Sequence, residues 1–269
     1  MITLLIILAA VAAAYILMTM CRKGHKGLEA LQGFYYAHRG LHGNGIPENS
    51  MAAFRAALDG GYGIELDVHL MKDGKLAVIH DASLKRTAGA DVVIEDLTQA
   101  DLPNYPLEGT QETIPLFSQV LELYNGRAPI IVELKVEGGN YAALAKAVCD
   151  LLDGYKGAYC LESFDPRCVA WLAQNRPDMI RGQLTRNFVS CNESPLPMVV
   201  KFILTHQLEN FVTRPDFIAY KFDDRKTLGN FLARKVWGAQ GVTWTITSQE
   251  NLDTAVKEGW LPIFEGFRP

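Results

Sequence analysis

The sequence has few cysteines, and their arrangement suggests no structural role. There are five among 269 residues, an odd number without a Cys-x-x-Cys pair, which argues against both a disulfide framework and a zinc site. Reduced thiols facing the cytosol fit this usage best. Low-complexity tracts are also missing, and 49% hydrophobic with 21% charged residues is typical of a folded globular protein. The cysteines are Cys21, Cys149, Cys160, Cys168 and Cys191.

The sequence also lacks a large net charge and two motifs that are typical of other enzyme classes. A net charge of -4 gives no general attraction to nucleic acid or to anionic lipid, so we expect no nucleic-acid partner. An anionic ligand would have to be held by local charges. The sequence has no Gly-x-Ser-x-Gly elbow of the kind that serine hydrolases use, and no Gly-rich phosphate loop follows the first predicted strand.

Only the N-terminus carries a long hydrophobic run. Nineteen uncharged positions from Ile2 to Met20 would form a helix of about 28 Å, enough to cross the hydrocarbon core of a membrane. We therefore predict a transmembrane helix over residues 1–21. A cleaved signal peptide is the alternative. Against it stand the length of the run and the lack of Lys or Arg before it.

Positive charges follow this run and predict its orientation. Arg22, Lys23 and Lys26 favour a cytoplasmic location for everything that comes after them. The sequence thus predicts a single-pass membrane protein, with a linker over residues 22–33 and a folded, cytoplasmic domain over residues 34–269.

Beyond the linker, short apolar runs alternate with longer amphipathic ones, the pattern of repeated βα units. Eight strands with helices between them, on one domain's length of chain, favour a closed (β/α)8 TIM barrel. A doubly wound open sheet is the alternative, but its phosphate loop is missing. Strands are predicted at Phe34–His38, Ile64–Leu70, Pro129–Leu134, Ala158–Ser163, Met179–Leu184, Phe217–Phe222, Val242–Thr247 and Leu261–Phe264.

One further predicted strand, Leu76–His80, breaks the alternation. Too few residues separate it from the second strand for a parallel crossover, so the two must form an antiparallel hairpin around the turn Asp73-Gly74. Pairing the two lysines that flank this turn would set Asp67 opposite His80. The irregular stretch of residues 81–115 that follows is predicted to be an insertion after the second strand, forming a lid or collar at the mouth of the barrel.

Acidic side chains gather at the predicted carboxyl ends of the strands, where TIM barrels keep their active sites. Glu65 and Asp67 are two apart on one strand and share a face, and Glu133 with Lys135 repeats this spacing. Buried carboxylates persist only when paired or metal-bound. An oxygen-rich set suits one divalent cation, Mg²⁺ or Ca²⁺, better than zinc. A salt-bridge network with Arg39 and Lys135 is the alternative.

Two histidines accompany these carboxylates. His38 ends the first strand and His80 comes from the hairpin. Because imidazole titrates near neutrality, one can deprotonate an attacking hydroxyl while the other protonates a leaving oxygen. Arg39 and Lys135 can neutralise a phosphate, the first as a planar fork and the second as a point charge. This combination describes phosphoryl chemistry better than acyl transfer.

Several short motifs occur in a fixed order from Tyr36 onward. They are His38-Arg39-Gly40, Pro47-Glu48-Asn49-Ser50, Gly63-Ile64-Glu65-Leu66-Asp67, His80-Asp81, Ile114-Pro115-Leu116, Glu133-Leu134-Lys135, Ser163-Phe164 and Trp244-Thr245. Each motif alone is weak. As an ordered set they closely resemble the glycerophosphodiester phosphodiesterase family.

This resemblance implies a TIM barrel with an inserted segment after its second strand. It also implies metal-dependent hydrolysis of a glycerophosphodiester to glycerol 3-phosphate and an alcohol. By resemblance, the metal would bind to Glu65, Asp67 and Glu133, acid–base catalysis would fall to His38 and His80, substrate binding to Arg39, Lys135 and Trp244, and support of the site to Glu48 and Asn49. The chain ends in Phe264-Glu265-Gly266-Phe267-Arg268-Pro269 where family members often have Thr-Asp-x-Pro, a departure that we expect to leave the catalytic positions intact.

Two other functions stay open on the sequence. Lysophospholipase D-type hydrolysis of lysophospholipids at a membrane uses the same barrel, and an apolar rim on residues 81–115 would favour it over a polar lid. A non-catalytic, membrane-tethered barrel is the third reading. The presence of both histidines and all three carboxylates argues against it, because a binding module has no need of proton carriers.

Overall fold

Eight parallel strands close into a barrel in the computed structural model, which describes residues 1–191 and 195–269. The first strand pairs with both the second and the last, which closes the sheet, and β3 lies antiparallel on β2 outside the ring. The predicted TIM barrel is confirmed. The strands are β1 (Tyr36–Ala37), β2 (Gly63–Leu70), β3 (Leu76–Val78), β4 (Ile130–Leu134), β5 (Tyr159–Ser163), β6 (Arg181–Thr185), β7 (Phe217–Lys221), β8 (Gln240–Ile246) and β9 (Trp260–Phe264).

Helices surround the barrel and connect its strands. Ser50 and Ser248 cap two of them, because each hydroxyl accepts a hydrogen bond from the backbone three residues further on. The helices are α1 (Ile2–Met18), α2 (Met51–Asp59), α3 (Lys85–Ala88), α4 (Phe117–Tyr124), α5 (Tyr141–Leu152), α6 (Pro166–Asn175), α7 (Met198–His206), α8 (Asn210–Thr213), α9 (Leu228–Phe231) and α10 (Gln249–Lys257).

Side chains along each strand alternate between the barrel interior and the helix layer. Ile131 in β4 and Cys160 in β5 belong to the interior apolar cluster, whereas their neighbours Val132 and Leu161 pack beneath the helices. Leu31, which precedes the first strand, is buried in the same interior cluster. Polar residues further along the same inward rows therefore meet at the carboxyl ends of the strands.

The hairpin of β2 and β3 differs by one residue from its predicted register. Met71 N donates to Lys75 O at 2.9 Å, so three residues rather than two form the loop. Ile79 N donates to Asp67 O at 3.1 Å, and Ile79 rather than His80 thus lies opposite Asp67. The glycine of the Asp-Gly turn has φ 79°, the left-handed conformation typical of three-residue hairpin loops.

Residues 81–115 form an insertion with an apolar core of its own. Leu84, Ile94, Leu102 and Leu107 are buried together against the outer side of the hairpin. The large apolar side chains of the segment are thereby used for its own packing rather than arranged as a rim around the mouth of the barrel.

The predicted transmembrane helix is wrong. No helix in the described part of the chain is long and apolar enough to cross a membrane. The helix α1 ends at Met18 after 17 residues, a length of about 26 Å. Its last turn is held to the barrel, since Trp237 Nε1 donates to Ile16 O at 3.0 Å. The predicted localisation as a single-pass membrane protein rested on this helix and is contradicted by that finding, and the predicted membrane partner is not supported.

The predicted linker of residues 22–33 is packed on the barrel. The Arg22 guanidinium binds the buried carboxylate of Asp216, with Nε donating to Oδ1 at 2.6 Å. Lys26–Leu31 follows as a short 3₁₀ helix that delivers Leu31 to the interior cluster. The segment is therefore part of the folded domain rather than a tether.

Substituting Arg22 tests this docking. We expect Arg22→Ala to lower the free energy of unfolding by about 2 kcal/mol, because the buried carboxylate of Asp216 loses its cation. Urea denaturation would measure the change. Lys26→Ala, at an exposed position of the same segment, should stay within about 0.5 kcal/mol of the parent protein. Equal stability of the two variants would contradict the docking.

Candidate active site

Four acidic side chains occupy adjacent inward positions at the carboxyl ends of β2, β4 and β5. The parallel register places Asp67 beside Glu133, and Glu133 beside Glu162, while Glu65 lies one inward position earlier on β2. All four are buried. Ligand oxygens of Glu65, Asp67 and Glu133 lie within 4.8 Å of one another. The three carboxylates singled out in the sequence are thus together, and Glu162 is a fourth that sequence reasoning missed.

Two cationic side chains reach this cluster. Lys135 Nζ is 2.9 Å from Glu133 Oε1 and 3.4 Å from Asp67 Oδ1. Arg39 Nε is 3.6 Å from Asp67 Oδ2. Both cations come from the positions that the sequence predicted, and both contact carboxylates directly, so the salt-bridge network given above as the alternative to a cation site is present in the cluster.

Glu48 and Asn49 support these groups. Arg39 Nη1 donates to Glu48 Oε1 at 3.0 Å, and Asn49 Nδ2 donates to Asp67 Oδ2 at 2.9 Å. Arg39 and Asn49 both have left-handed backbones, with φ of 54° and 51°, and Asn49 N donates to Arg39 O at 2.9 Å. Left-handed conformations are uncommon for residues other than glycine and concentrate at functional sites.

Burial makes the acidic cluster electrostatically costly. It raises the pKa of Glu65 and of Glu162 well above the usual range and that of Glu133 to about 7. Burial acts on Asp67 too, but the cations led by Lys135 outweigh it and lower the pKa of this carboxyl. With all four carboxylates ionised, they would exceed the two cations by two negative charges, which one divalent cation would balance. Asp67 Oδ1 and Glu162 Oε2 also lack hydrogen-bond partners among the described residues, so the site fits an oxygen-ligated cation.

The Nδ1 atom of each predicted catalytic histidine is hydrogen-bonded to a carboxylate. His38 Nδ1 is bonded to Glu265, and its Nε2 lies 3.9 Å from Glu65 Oε2. His80 Nδ1 is 2.6 Å from Asp81 Oδ1. A carboxylate on Nδ1 fixes the tautomer and leaves Nε2 to exchange a proton. Burial lowers the pKa of His80, which favours the neutral ring.

The C-terminal segment was expected to leave the catalytic positions untouched, and this expectation is wrong. His38 N donates to Phe264 O at 2.9 Å, which brings Glu265 alongside the imidazole. The hydrogen bond from His38 lowers the pKa of Glu265 to about 2. Glu265 Oε1 is also 3.9 Å from His42 Nε2. The available signal was its place directly after a predicted strand, which is also where Lys135 lies.

Two adjoining cavities lie at the mouth of the barrel. The smaller, of about 170 Å³, is lined by His38, Glu65, His80 and other residues of the cluster and is called the polar cavity below. The larger is about 710 Å³. Trp244 and Phe164 line both cavities and meet edge to face, with ring centroids 5.7 Å apart. Every site residue predicted from the sequence therefore lies at these cavities or supports a residue that does.

Comparison with known proteins agrees with this arrangement. Residues 38–259 match the family model described as the glycerophosphoryl diester phosphodiesterase family. A glycerophosphodiester phosphodiesterase of Bacillus altitudinis is 42% identical over 113 residues, 39% of this chain and 46% of that protein. The lysophospholipase D of Rattus norvegicus is 37% identical over 135 residues, 45% of this chain and 41% of that protein. These alignments span less than half the length of either relative.

Solved structures share the fold over most of the chain. A phosphodiesterase of Oleispira antarctica, solved with its product sn-glycerol-3-phosphate, superposes with a TM-score of 0.73 at 22% identity, covering 89% of this chain and 94% of that one. A glycerophosphodiester phosphodiesterase of Thermotoga maritima superposes with a TM-score of 0.66 at 24% identity, covering 87% and 95%.

The raised pKa of Glu133 makes cation binding depend on pH. Near pH 7 this carboxyl is partly protonated, and a bound cation requires the carboxylate, so binding must release a proton. We expect the affinity for Mg²⁺ or Ca²⁺ to fall by at least about tenfold for each pH unit below pH 7, because burial also raises the pKa of Glu65, a second carboxyl of the set. Calorimetric titration in buffers of different ionisation enthalpy would count the released protons. An affinity that is constant from about pH 6 to pH 8 would contradict this.

Proposed function

The chain belongs to the glycerophosphoryl diester phosphodiesterase family, and from that premise we propose that it hydrolyses glycerophosphodiesters to glycerol 3-phosphate and an alcohol. The meeting of two histidines, two cations and four buried carboxylates at the polar cavity carries the proposal. A binding protein has no need of two proton carriers beside an acidic cluster, which argues against a non-catalytic role.

Glu65, Asp67 and Glu133 would hold one divalent cation, Mg²⁺ or Ca²⁺, because their ligand atoms are all hard oxygens. When bound, the cation would offset negative charge that develops on the phosphoryl oxygens. Glu162, beside Glu133, adds a fourth carboxyl group to the cluster.

The protein's own groups then account for the proton transfers. Arg39 and Lys135 would bind the phosphate and bring phosphorus within reach of both imidazoles. One imidazole takes the proton of the glycerol 2-hydroxyl as its oxygen attacks phosphorus, and the other gives a proton to the departing alcohol oxygen. The cyclic phosphate that remains is opened by water with the two imidazoles in exchanged roles. Trp244 would pack against the glycerol.

A lysophospholipid is the second candidate substrate. A relative that is 37% identical carries the name lysophospholipase D. A glycerol with one acyl chain on its end carbon keeps the 2-hydroxyl that the mechanism needs, so the same groups would serve both substrates. The membrane location that the sequence suggested for this activity is not part of the proposal.

Removing the cation tests the proposed chemistry. With sn-glycero-3-phosphocholine as substrate, the full-length chain should lose at least about 10²-fold in turnover in excess chelator, since the acidic cluster would then repel the phosphate. Added Mg²⁺ or Ca²⁺ should restore the release of glycerol 3-phosphate. Glu133→Gln should not be restored. Full activity in chelator would contradict the assignment.

The two histidines provide a separate test. His38→Ala and His80→Ala should each reduce kcat by about 10²- to 10⁴-fold, and the double variant should lose far less than the product of the two, because groups that act together are non-additive. His25→Ala is the matched control, since His25 contacts Asp178 O rather than either cavity. Near-normal turnover by His80→Ala would make His80 a structural neighbour of the site.

A further inference from the structure

The larger cavity, called the apolar cavity here, has no part in the chemistry above. Its volume of about 710 Å³ lies in the range of small-molecule binding sites. His80, Lys135 and Trp244 line it on the side of the polar cavity. The rest of its wall is mostly apolar and is made by Phe164, Phe188, Leu196, Val200 and Leu204.

This wall leads away from the candidate catalytic groups as one continuous surface. Phe164 meets Trp244 edge to face and meets Phe188 in the same way at 6.2 Å. Val200 and Leu204 are four residues apart on α7 and so lie on one face of the helix. The aromatic row therefore begins at the polar cavity and ends against the apolar face of α7.

Charged groups at the apolar cavity are already paired or stacked. Arg167 Nη2 binds Asp165 Oδ2 at 2.6 Å, and the Arg186 guanidinium lies 5.3 Å from the ring centroid of Phe188. The carboxylate of Asp165 thus neutralises Arg167, whereas the Nε of the stacked Arg186 has no hydrogen-bond partner among the described residues. Residues 81–115, for which the sequence left an apolar rim and a polar lid open, contribute no lining residue. The apolar wall comes instead from Phe164, Phe188, Leu196, Val200, Leu204 and Trp244.

We infer that the apolar cavity binds the acyl chain of a monoacyl glycerophosphodiester, which makes a lysophospholipid with its chain on the glycerol the preferred substrate. The inference rests on the proposed phosphodiesterase activity. When the glycerol is bound beside Trp244, its end carbon that carries no phosphate would point along Phe164 toward Phe188. An acyl chain esterified to that carbon would therefore enter the apolar cavity. The head group leaves on the other side of phosphorus. When a substrate without an acyl chain is bound, the apolar wall of the cavity remains exposed to water.

Substrate chain length tests this without any variant. Lysophosphatidylcholines of increasing chain length, each below its critical micelle concentration, should show kcat/KM rising by up to about fourfold for each CH₂ group that reaches the wall. The rise should stop when the cavity is full. sn-Glycero-3-phosphocholine is the chain-free reference, and turnover of it measures the phosphodiesterase activity separately.

A matched pair of variants on α7 tests where the acyl chain of the substrate binds. Val200 lines the apolar cavity, whereas Val199 beside it is 71% exposed and does not. Val200→Asp should lower the ratio of kcat/KM for lysophosphatidylcholine to that for glycerophosphocholine by about 10- to 100-fold, because a carboxylate faces the chain. Val199→Asp should leave this ratio unchanged.

Several results would overturn the inference. Turnover of glycerophosphocholine with no chain-length dependence, or equal ratios for the two variants, would reject the acyl site and leave the phosphodiesterase activity standing. A preference for diesters with the alkyl chain on the leaving alcohol would reject the orientation. Turnover of neither substrate with Mg²⁺ or Ca²⁺ would reject the proposed function as well.

Discussion

Burial of four carboxylates at one end of a barrel is the constraint on which the rest of the site depends. Acidic groups out of water are costly unless they are paired. Lys135 and Arg39 supply two opposite charges, and Asn49 donates to Asp67. The left-handed backbone conformations of Arg39 and Asn49 cost conformational free energy, and they orient these two side chains toward the cluster. Glu162 has no ion pair among the described residues, and its Oε2 lacks a hydrogen-bond partner. The negative charge that the two cations do not neutralise would attract a divalent cation.

A second chain of charges connects the insertion to this cluster. Asp81 holds His80 and is itself bound by Arg86, whose Nε donates to Asp81 Oδ2 at 2.6 Å. Arg86 Nη2 also donates to Glu48 Oε1 at 2.6 Å, and Glu48 binds Arg39. Burial opposes ionisation of Asp81, but Arg86 and His80 outweigh it and lower its pKa to about 2. The insertion thus positions catalytic candidates by ion pairs, while its own apolar core keeps it folded.

Local periodicity explains which features could be read from the sequence. Side-chain alternation is a property of each strand by itself, so Glu65 and Asp67 could be assigned to one inward face before the fold was known. The hairpin register depends on how many residues its loop holds, which the Asp-Gly pair leaves open between two and three. The end of α1 depends on contacts with Trp237, far away in sequence. Glu162 and Glu265 were missed although both lie at strand ends, because strand-end reasoning was applied only to the first half of the barrel.

The two halves of the barrel mouth have different chemistry, and this division follows from the topology. The ends of β1, β2 and β4, together with the residues after β3, carry the histidines, cations and most carboxylates, held by hydrogen bonds and ion pairs that leave little freedom to vary. The segments after β5 and β6 supply Phe164, Phe188 and Val200, which only need to be apolar and of suitable size. Packing of this kind tolerates substitution far better than a charged cluster does. Under the proposed function, the first half would hold the phosphodiester chemistry and the second half would accommodate the group carried on the glycerol, with Trp244 at the boundary between them.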